Sequence, residues 1–289
     1  MEQMAWTESL EKRIQEAKNP ICLGIDPVIK LIPAKGNTAE EKIRRFYFDI
    51  LEEAVKRNVK PAVIKPNSAY FERISIQAMF TLAEIIDVYK KESIPVILDA
   101  KRGDIGKSSA AYADAAFDVY KANAVTVSPW MGSDSVLPFT GKDISKGVYI
   151  LLRTSNPGAK DFQDAWIQDQ SHAFYNVAEK LTEWDTGNIG AVVGATNPEE
   201  LERITNFFAS KKHEIPFLIP GVSIPGVPGG QGGDAKTVLK AIAMGGGKRN
   251  IHVLNSSSGL NFAWQRIDKP EKYATACLDA LESLIESIA

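Results

Sequence analysis

Asp99 and Lys101 stand two residues apart in Pro95-Val96-Ile97-Leu98-Asp99-Ala100-Lys101, a run that is otherwise apolar. On an extended strand, residues two apart point to the same face. A carboxylate and an ammonium on one face of an apolar strand must pair or meet a ligand, because an isolated buried charge is very costly. Lys65 ends an earlier apolar run, Ala62-Val63-Ile64. It can complete a row Lys65–Asp99–Lys101 in which alternating charges hold one another ionised. The same row can also be read as a structural ion-pair network joining two strands. Two lysines with a carboxylate between them at the mouth of a fold favour the catalytic reading.

The elements that must position this row follow a regular rhythm. Strand-like apolar runs cover 21–25, 62–66, 95–101, 124–130, 147–154, 189–196, 216–222 and 250–257. Their near-continuous apolar character suits strands buried on both faces of a parallel sheet. Helix-like periodic stretches fall at 38–58, 75–91, 107–122, 134–140, 171–184, 198–212, 234–244 and 270–288. Thr38 and Glu41 form a capping-box pair at the start of the first of these. Eight such repeats in 289 residues predict a single (β/α)8 TIM-barrel domain spanning residues 1–289. A doubly wound sheet is the rival architecture. It would show a glycine-rich turn after the first strand, where this chain reads Gly24-Ile25-Asp26-Pro27-Val28.

In a barrel, chemistry sits at the C-terminal ends of the strands. The polar residues ending the predicted strands are Asp26; Lys65 and Asn67; Asp99, Lys101 and Asp104; Arg153 and Ser155; and Asn255 to Ser258. The stretch 221–233 carries six glycines, and such loops late in a barrel bind phosphate through backbone N–H groups. Ile105-Gly106-Lys107-Ser108 ends like a P-loop, but the first glycine of that pattern would fall at Lys101, so it is rejected. His172, His213 and His252 lack metal-ligand spacing, and Cys22 and Cys277 are read as core residues.

Composition narrows the function classes. The chain has 34 basic and 36 acidic residues, a net charge of −2, which gives no electrostatic basis for nucleic-acid binding. No apolar run is long enough to predict a membrane span, and the N-terminal residues do not read as a secretory signal. Two cysteines do not make a disulfide framework, so a cytoplasmic location is expected.

The segment Leu98-Asp99-Ala100-Lys101-Arg102-Gly103-Asp104-Ile105 resembles the Asp-x-Lys-x-x-Asp motif of orotidine 5'-phosphate decarboxylases. Five further segments resemble that family in the same order: Gly24-Ile25-Asp26-Pro27, Ile64-Lys65-Pro66-Asn67-Ser68-Ala69-Tyr70-Phe71-Glu72, Thr154-Ser155-Asn156-Pro157-Gly158, Val193-Gly194-Ala195-Thr196 and Ile219-Pro220-Gly221-Val222. The Lys-Pro-Asn and Thr-Ser-Asn-Pro-Gly forms point to its longer, type 2 branch. The resemblance implies a homodimer with shared active sites that turns orotidine 5'-phosphate into uridine 5'-phosphate and carbon dioxide without metal or organic cofactor. It implies a charged tetrad of Lys65, Asp99, Lys101 and, from the partner subunit, Asp104, with Lys101 as proton donor. Asp26, Asn67, Ser108, Ser155, Gln231, Ser257 and Ser258 fall at its substrate-binding positions.

Two departures from the family pattern concern phosphate. The family usually has an arginine where Ser258 stands, and a serine cannot supply a bidentate guanidinium. Arg266 and Arg249 are the candidates to replace it. The family's short Pro-Gly-Val-Gly-Ala-Gln loop is longer here, Pro220-Gly221-Val222 being separated by an insertion from Gly229-Gly230-Gln231. These departures motivate a rival reading, a phosphate-ligand-binding barrel with weakened or different activity. A related Mg²⁺-dependent sugar-phosphate decarboxylase or aldolase is a third.

Overall fold

The computed structural model of the chain describes residues 3–167, 172–224 and 232–289. Eight parallel strands form its centre: β1 (Ile21–Ile25), β2 (Val63–Pro66), β3 (Ile97–Arg102), β4 (Ala124–Val127), β5 (Gly147–Arg153), β6 (Ile189–Val193), β7 (Phe217–Pro220) and β8 (Val253–Ser256). Hydrogen-bonded pairing runs β2-β1-β8-β7-β6-β5-β4-β3. The remaining seam, β2 against β3, is bridged in parallel at Ile64–Val96 and Asn67–Asp99. The sheet thus curls into the expected (β/α)8 barrel, and its least regular seam lies beside Lys65 and Asp99.

Helices follow the strands and cover the barrel. The helix Ala39–Arg57 begins at Thr38, whose Oγ1 accepts the Glu41 N–H at 3.2 Å. Glu41 returns its carboxylate to the Asn37 N–H at 2.6 Å rather than to Thr38, so the capping box is displaced by one residue. The helix predicted over 107–122 runs as Gly106–Asp114 and then widens into a π-turn at Ala115–Val119. Strand ends differ from the sequence reading mainly where turn residues continue an apolar run: β4 stops at Val127, before Ser128-Pro129.

A twelve-residue helix precedes β1 and lies outside the eightfold rhythm. Trp6–Ala17 buries Trp6, Leu10 and Ile14 against interior residues from the N-terminal part of the barrel, among them Cys22, Val63, Ile97, Tyr149 and Val253. Arg13 ties it to the carbonyls of Pro61 and Ala62 just before β2, at 2.9 and 3.0 Å. This helix therefore closes the N-terminal end of the barrel with apolar contacts. The interior of the next layer changes character: Lys65, Asp99, Thr126 and Asn255 are all buried there. The larger apolar cluster lies between the outer strand faces and the helices. No helix among the described residues is long and apolar enough to cross a membrane.

Candidate active site

Lys65 on β2 and Asp99 on β3 meet across the bridged seam, Lys65 Nζ donating to Asp99 Oδ2 at 2.7 Å. Lys101 Nζ donates to the other oxygen, Oδ1, at 2.6 Å. The Lys65 and Asp99 side chains are 5% and 7% exposed, whereas Lys101 is 48% exposed. The row thus runs from a dry interior outward to a cation that a ligand can reach. Burial alone would raise the Asp99 carboxyl, but Lys65 and Lys101 overcome it and hold the group well below the usual carboxylate range. Burial likewise opposes the Lys65 charge, while Asp99 and then Asp26 hold the ammonium above its ordinary value.

The third partner of Asp99 escaped the sequence reading. Thr126 Oγ1 on β4 donates to Asp99 Oδ1 at 2.9 Å and accepts the Lys101 backbone N–H at 2.9 Å. A lone hydroxyl in Ala124-Val125-Thr126-Val127 was the available signal, but threonine is also an ordinary strand former. Asp99 and Lys101 do share a face as expected, although not by simple alternation. β3 is irregular between Leu98 and Arg102, and Lys101 has a φ of +45°.

Asp26, just past β1, has Oδ1 buried without a hydrogen-bond partner among the described residues. A buried carboxylate oxygen left unpaired beside Lys65 is placed to accept a ligand donor. Asn67 caps the short helix Ser68–Glu72, its Oδ1 accepting the Ala69 N–H at 3.2 Å. Ser155 lies past β5 and lines, with Lys101, Leu151, Val192 and Pro220, a cavity of about 430 Å³. A Cβ on Gly194 would approach Ser155 Cβ to 2.8 Å, so a glycine there lets the loop sit against β6. Across the barrel, a Cβ on Gly24 would fall 1.9 Å from Ser257 Oγ, so glycine is what admits Ser257 over β1.

Asp104 does not join the row within its own chain. Its Oδ1 accepts the Ile105 N–H at 2.8 Å, and Ser108 is exposed on the following helix. Ser258 is exposed and opens the four-residue helix Ser258–Asn261. Gln231 and the centre of the glycine-rich loop lie outside the described residues. Of the histidines, His252 is buried and accepts the Phe217 N–H at 3.1 Å, and burial lowers its pKa to about 3. His213 pairs with Asp185 at 3.0 Å, away from the row. Both cysteines are buried and free, and burial pushes each thiol up to about 12.

The profile of the orotidine 5'-phosphate decarboxylase / HUMPS family matches residues 19–252. The chain belongs to that family. It is 37% identical over 294 residues to the orotidine 5'-phosphate decarboxylase of Delftia acidovorans, covering 99% of this chain and 100% of that one. A solved OMP decarboxylase from Leishmania donovani shares 31% identity at a TM-score of 0.73, covering 98% of this chain and 99% of that one. The UMP synthase of Leishmania donovani shares 32% identity at a TM-score of 0.76; the match takes in 99% of this chain and 56% of that longer one.

Within the orotidine 5'-phosphate decarboxylase family, the question raised by Ser258 becomes one of position. Arg249 binds Glu11 of the N-terminal helix at 2.6 Å, at the closed end of the barrel. It is therefore remote from Ser258 at the open end. Arg266 Nη1 donates to the Gly259 carbonyl at 3.0 Å and is exposed, next to Ser258. Of the two candidates, Arg266 alone is near Ser258.

Proposed function

We propose that this chain is an orotidine 5'-phosphate decarboxylase, forming uridine 5'-phosphate and carbon dioxide in pyrimidine synthesis. The observation that carries the reading is the Lys65–Asp99–Lys101 row, buried at one end and open to a cavity at the other. Family membership supplies the substrate, and the geometry supplies a means. Breaking the bond from C6 to the carboxylate leaves an electron pair on C6. The Lys101 ammonium stabilises that charge as it forms and then gives C6 a proton. Asp99, fixed beside the departing carboxylate, repels it until carbon dioxide leaves. No metal or organic cofactor takes part in this scheme.

The other roles belong to the same proposal. Asp26 and Lys65 bind the ribose, Ser155 the pyrimidine, Gln231 bridges base and phosphate, Ser258 stands at the phosphate end, and Asn67 and Ser257 complete the substrate contacts. The enzyme acts as a homodimer in which Asp104 and Ser108 serve the partner's site. Exposed apolar side chains near Asp104 support such an interface: Ile105, Trp130, Met131 and Phe162 are 54%, 74%, 42% and 62% exposed. The Trp130 and Phe162 rings lie 5.2 Å apart. A cytoplasmic location fits the two free, buried thiols.

The deciding experiment follows the loss of orotidine 5'-phosphate absorbance with purified protein in EDTA, beside Lys101→Ala. Turnover by the wild type and none by the variant is expected. Inhibition by EDTA would favour the Mg²⁺-dependent relatives instead. Because Ser258 removes a charged contact worth roughly 1.5–3 kcal/mol, Ser258→Arg should tighten substrate binding about 10- to 150-fold. A chain silent both as wild type and as Ser258→Arg would be a binding barrel.

A further inference from the structure

We propose that Thr126 is a positioning residue for the decarboxylation, setting the direction of both Asp99 and Lys101. The inference rests on the functional reading above. Ile97 and Leu98 on β3 pair with Ala124 and Val125 on β4, and pairing resumes at Arg102 opposite Val127. Asp99, Ala100 and Lys101 therefore face the single residue Thr126. The surplus length is absorbed at Lys101, whose φ of +45° is a left-handed conformation disfavoured for a residue with a Cβ. Such backbone persists when its surroundings fix it.

Thr126 does the fixing with one buried hydroxyl, 1% exposed as a residue. Its oxygen accepts the Lys101 N–H at 2.9 Å. Its own proton is thereby left for Asp99 Oδ1, also at 2.9 Å, since an ionised carboxylate can only accept. Lys101 Nζ bonds the same oxygen at 2.6 Å, so backbone, hydroxyl, carboxylate and ammonium close a ring. The bulge and the charge pair are locked together. Removing the hydroxyl frees the bulge to relax and shifts the ammonium relative to the carbon it must protonate. Thr126 touches no substrate atom in this scheme, so binding is spared and the chemical step suffers.

The test compares wild type, Thr126→Val and Thr126→Ser by kcat, KM and calorimetric affinity for uridine 5'-phosphate, well below every melting temperature. Thr126→Val keeps the shape and loses the hydroxyl. Its kcat should fall roughly 10- to 100-fold, as for a catalytic group displaced by a fraction of an ångström, while product affinity stays within about threefold. Thr126→Ser keeps the hydroxyl and should recover kcat to within about threefold of wild type. A purely structural role would lower the melting temperature and leave kcat alone. Wild-type kcat in Thr126→Val, equal losses in Val and Ser, or a loss confined to KM would overturn the inference while leaving the decarboxylase reading intact. A silent wild type would overturn both. Should Thr126→Val not fold, Thr126→Ala carries the same comparison.

Discussion

At the scale of single residues, Asp99 carries the site because two cations depend on it. Lys65 has no solvent to fall back on, whereas Lys101 is half exposed. The two pairs should therefore respond differently to mutation. Asp99→Asn strands a buried ammonium and should cost about 3–5 kcal/mol in urea unfolding, while Lys101→Met should cost less than about 1 kcal/mol. Equal costs would mean that the inner pair is as well solvated as the outer. The pH dependence follows from the two directions of shift. Asp99 is held low in the fold, so its contribution is complete above the ordinary carboxylate pKa and is lost as the solution becomes more acid. Lys65 is held high, so its contribution is complete below the ordinary lysine pKa and is lost only at more alkaline pH. The wild-type advantage over Asp99→Asn should accordingly stay level from about pH 5 to pH 9 and shrink below pH 4. Lys65, Asp99 and Lys101 were legible in the sequence because charges are conspicuous in apolar strands. Thr126 was not, because a β-branched residue in a strand needs no further reason to be there. Nor could alternation reveal the bulge, which is a matter of pairing between strands.

At the scale of elements, the barrel separates a face that holds it together from a face that works. The eight strands were legible because fully buried parallel strands read as unbroken apolar runs. The helix Trp6–Ala17 was not, because it follows no strand and its apolar residues have no place in a β/α repeat. Its partners, interior side chains such as Cys22 and Tyr149, become visible as partners only once the barrel is closed. Its task is correspondingly structural. Leu10, wholly buried at that closed end, should cost about 2–5 kcal/mol as Leu10→Ala, by lost burial plus the cavity left behind. Turnover per folded molecule should be unchanged, because the Lys65–Asp99–Lys101 row occupies the next layers. Chemical unfolding and an active-site-normalised assay on the same preparation measure both quantities. A fall in kcat with stability intact would show that the plug shapes the charged layer above it.

At the scale of the whole molecule, one chain presents an incomplete version of the proposed tetrad. Asp104 turns to its neighbour's N–H, and Lys101 ends the row with part of its surface open. Beside them stand Ile105, Trp130, Met131 and Phe162, a set of exposed apolar groups of the kind that marks a protein interface. In the homodimer proposed above, each chain's Asp104 would reach the other's Lys101, and because a two-fold interface is reciprocal both sites would be completed in the same way. Sequence could suggest this only through family resemblance, because an apolar residue reads alike whether it packs within a chain or between two. The geometry makes a quantitative demand. Lys101→Ala and Asp104→Ala homodimers should each be inactive, having lost one group from every site. Mixed and reassorted at equal concentration, half the dimers become hybrids, and each hybrid has one site with both groups intact, so about a quarter of all sites should return. Activity that rises on mixing and saturates near that fraction requires Asp104 to act across the interface. Hybrids verified by mass spectrometry yet inactive would instead confine each active site to one chain, leaving the apolar surface to hold the dimer without completing its chemistry.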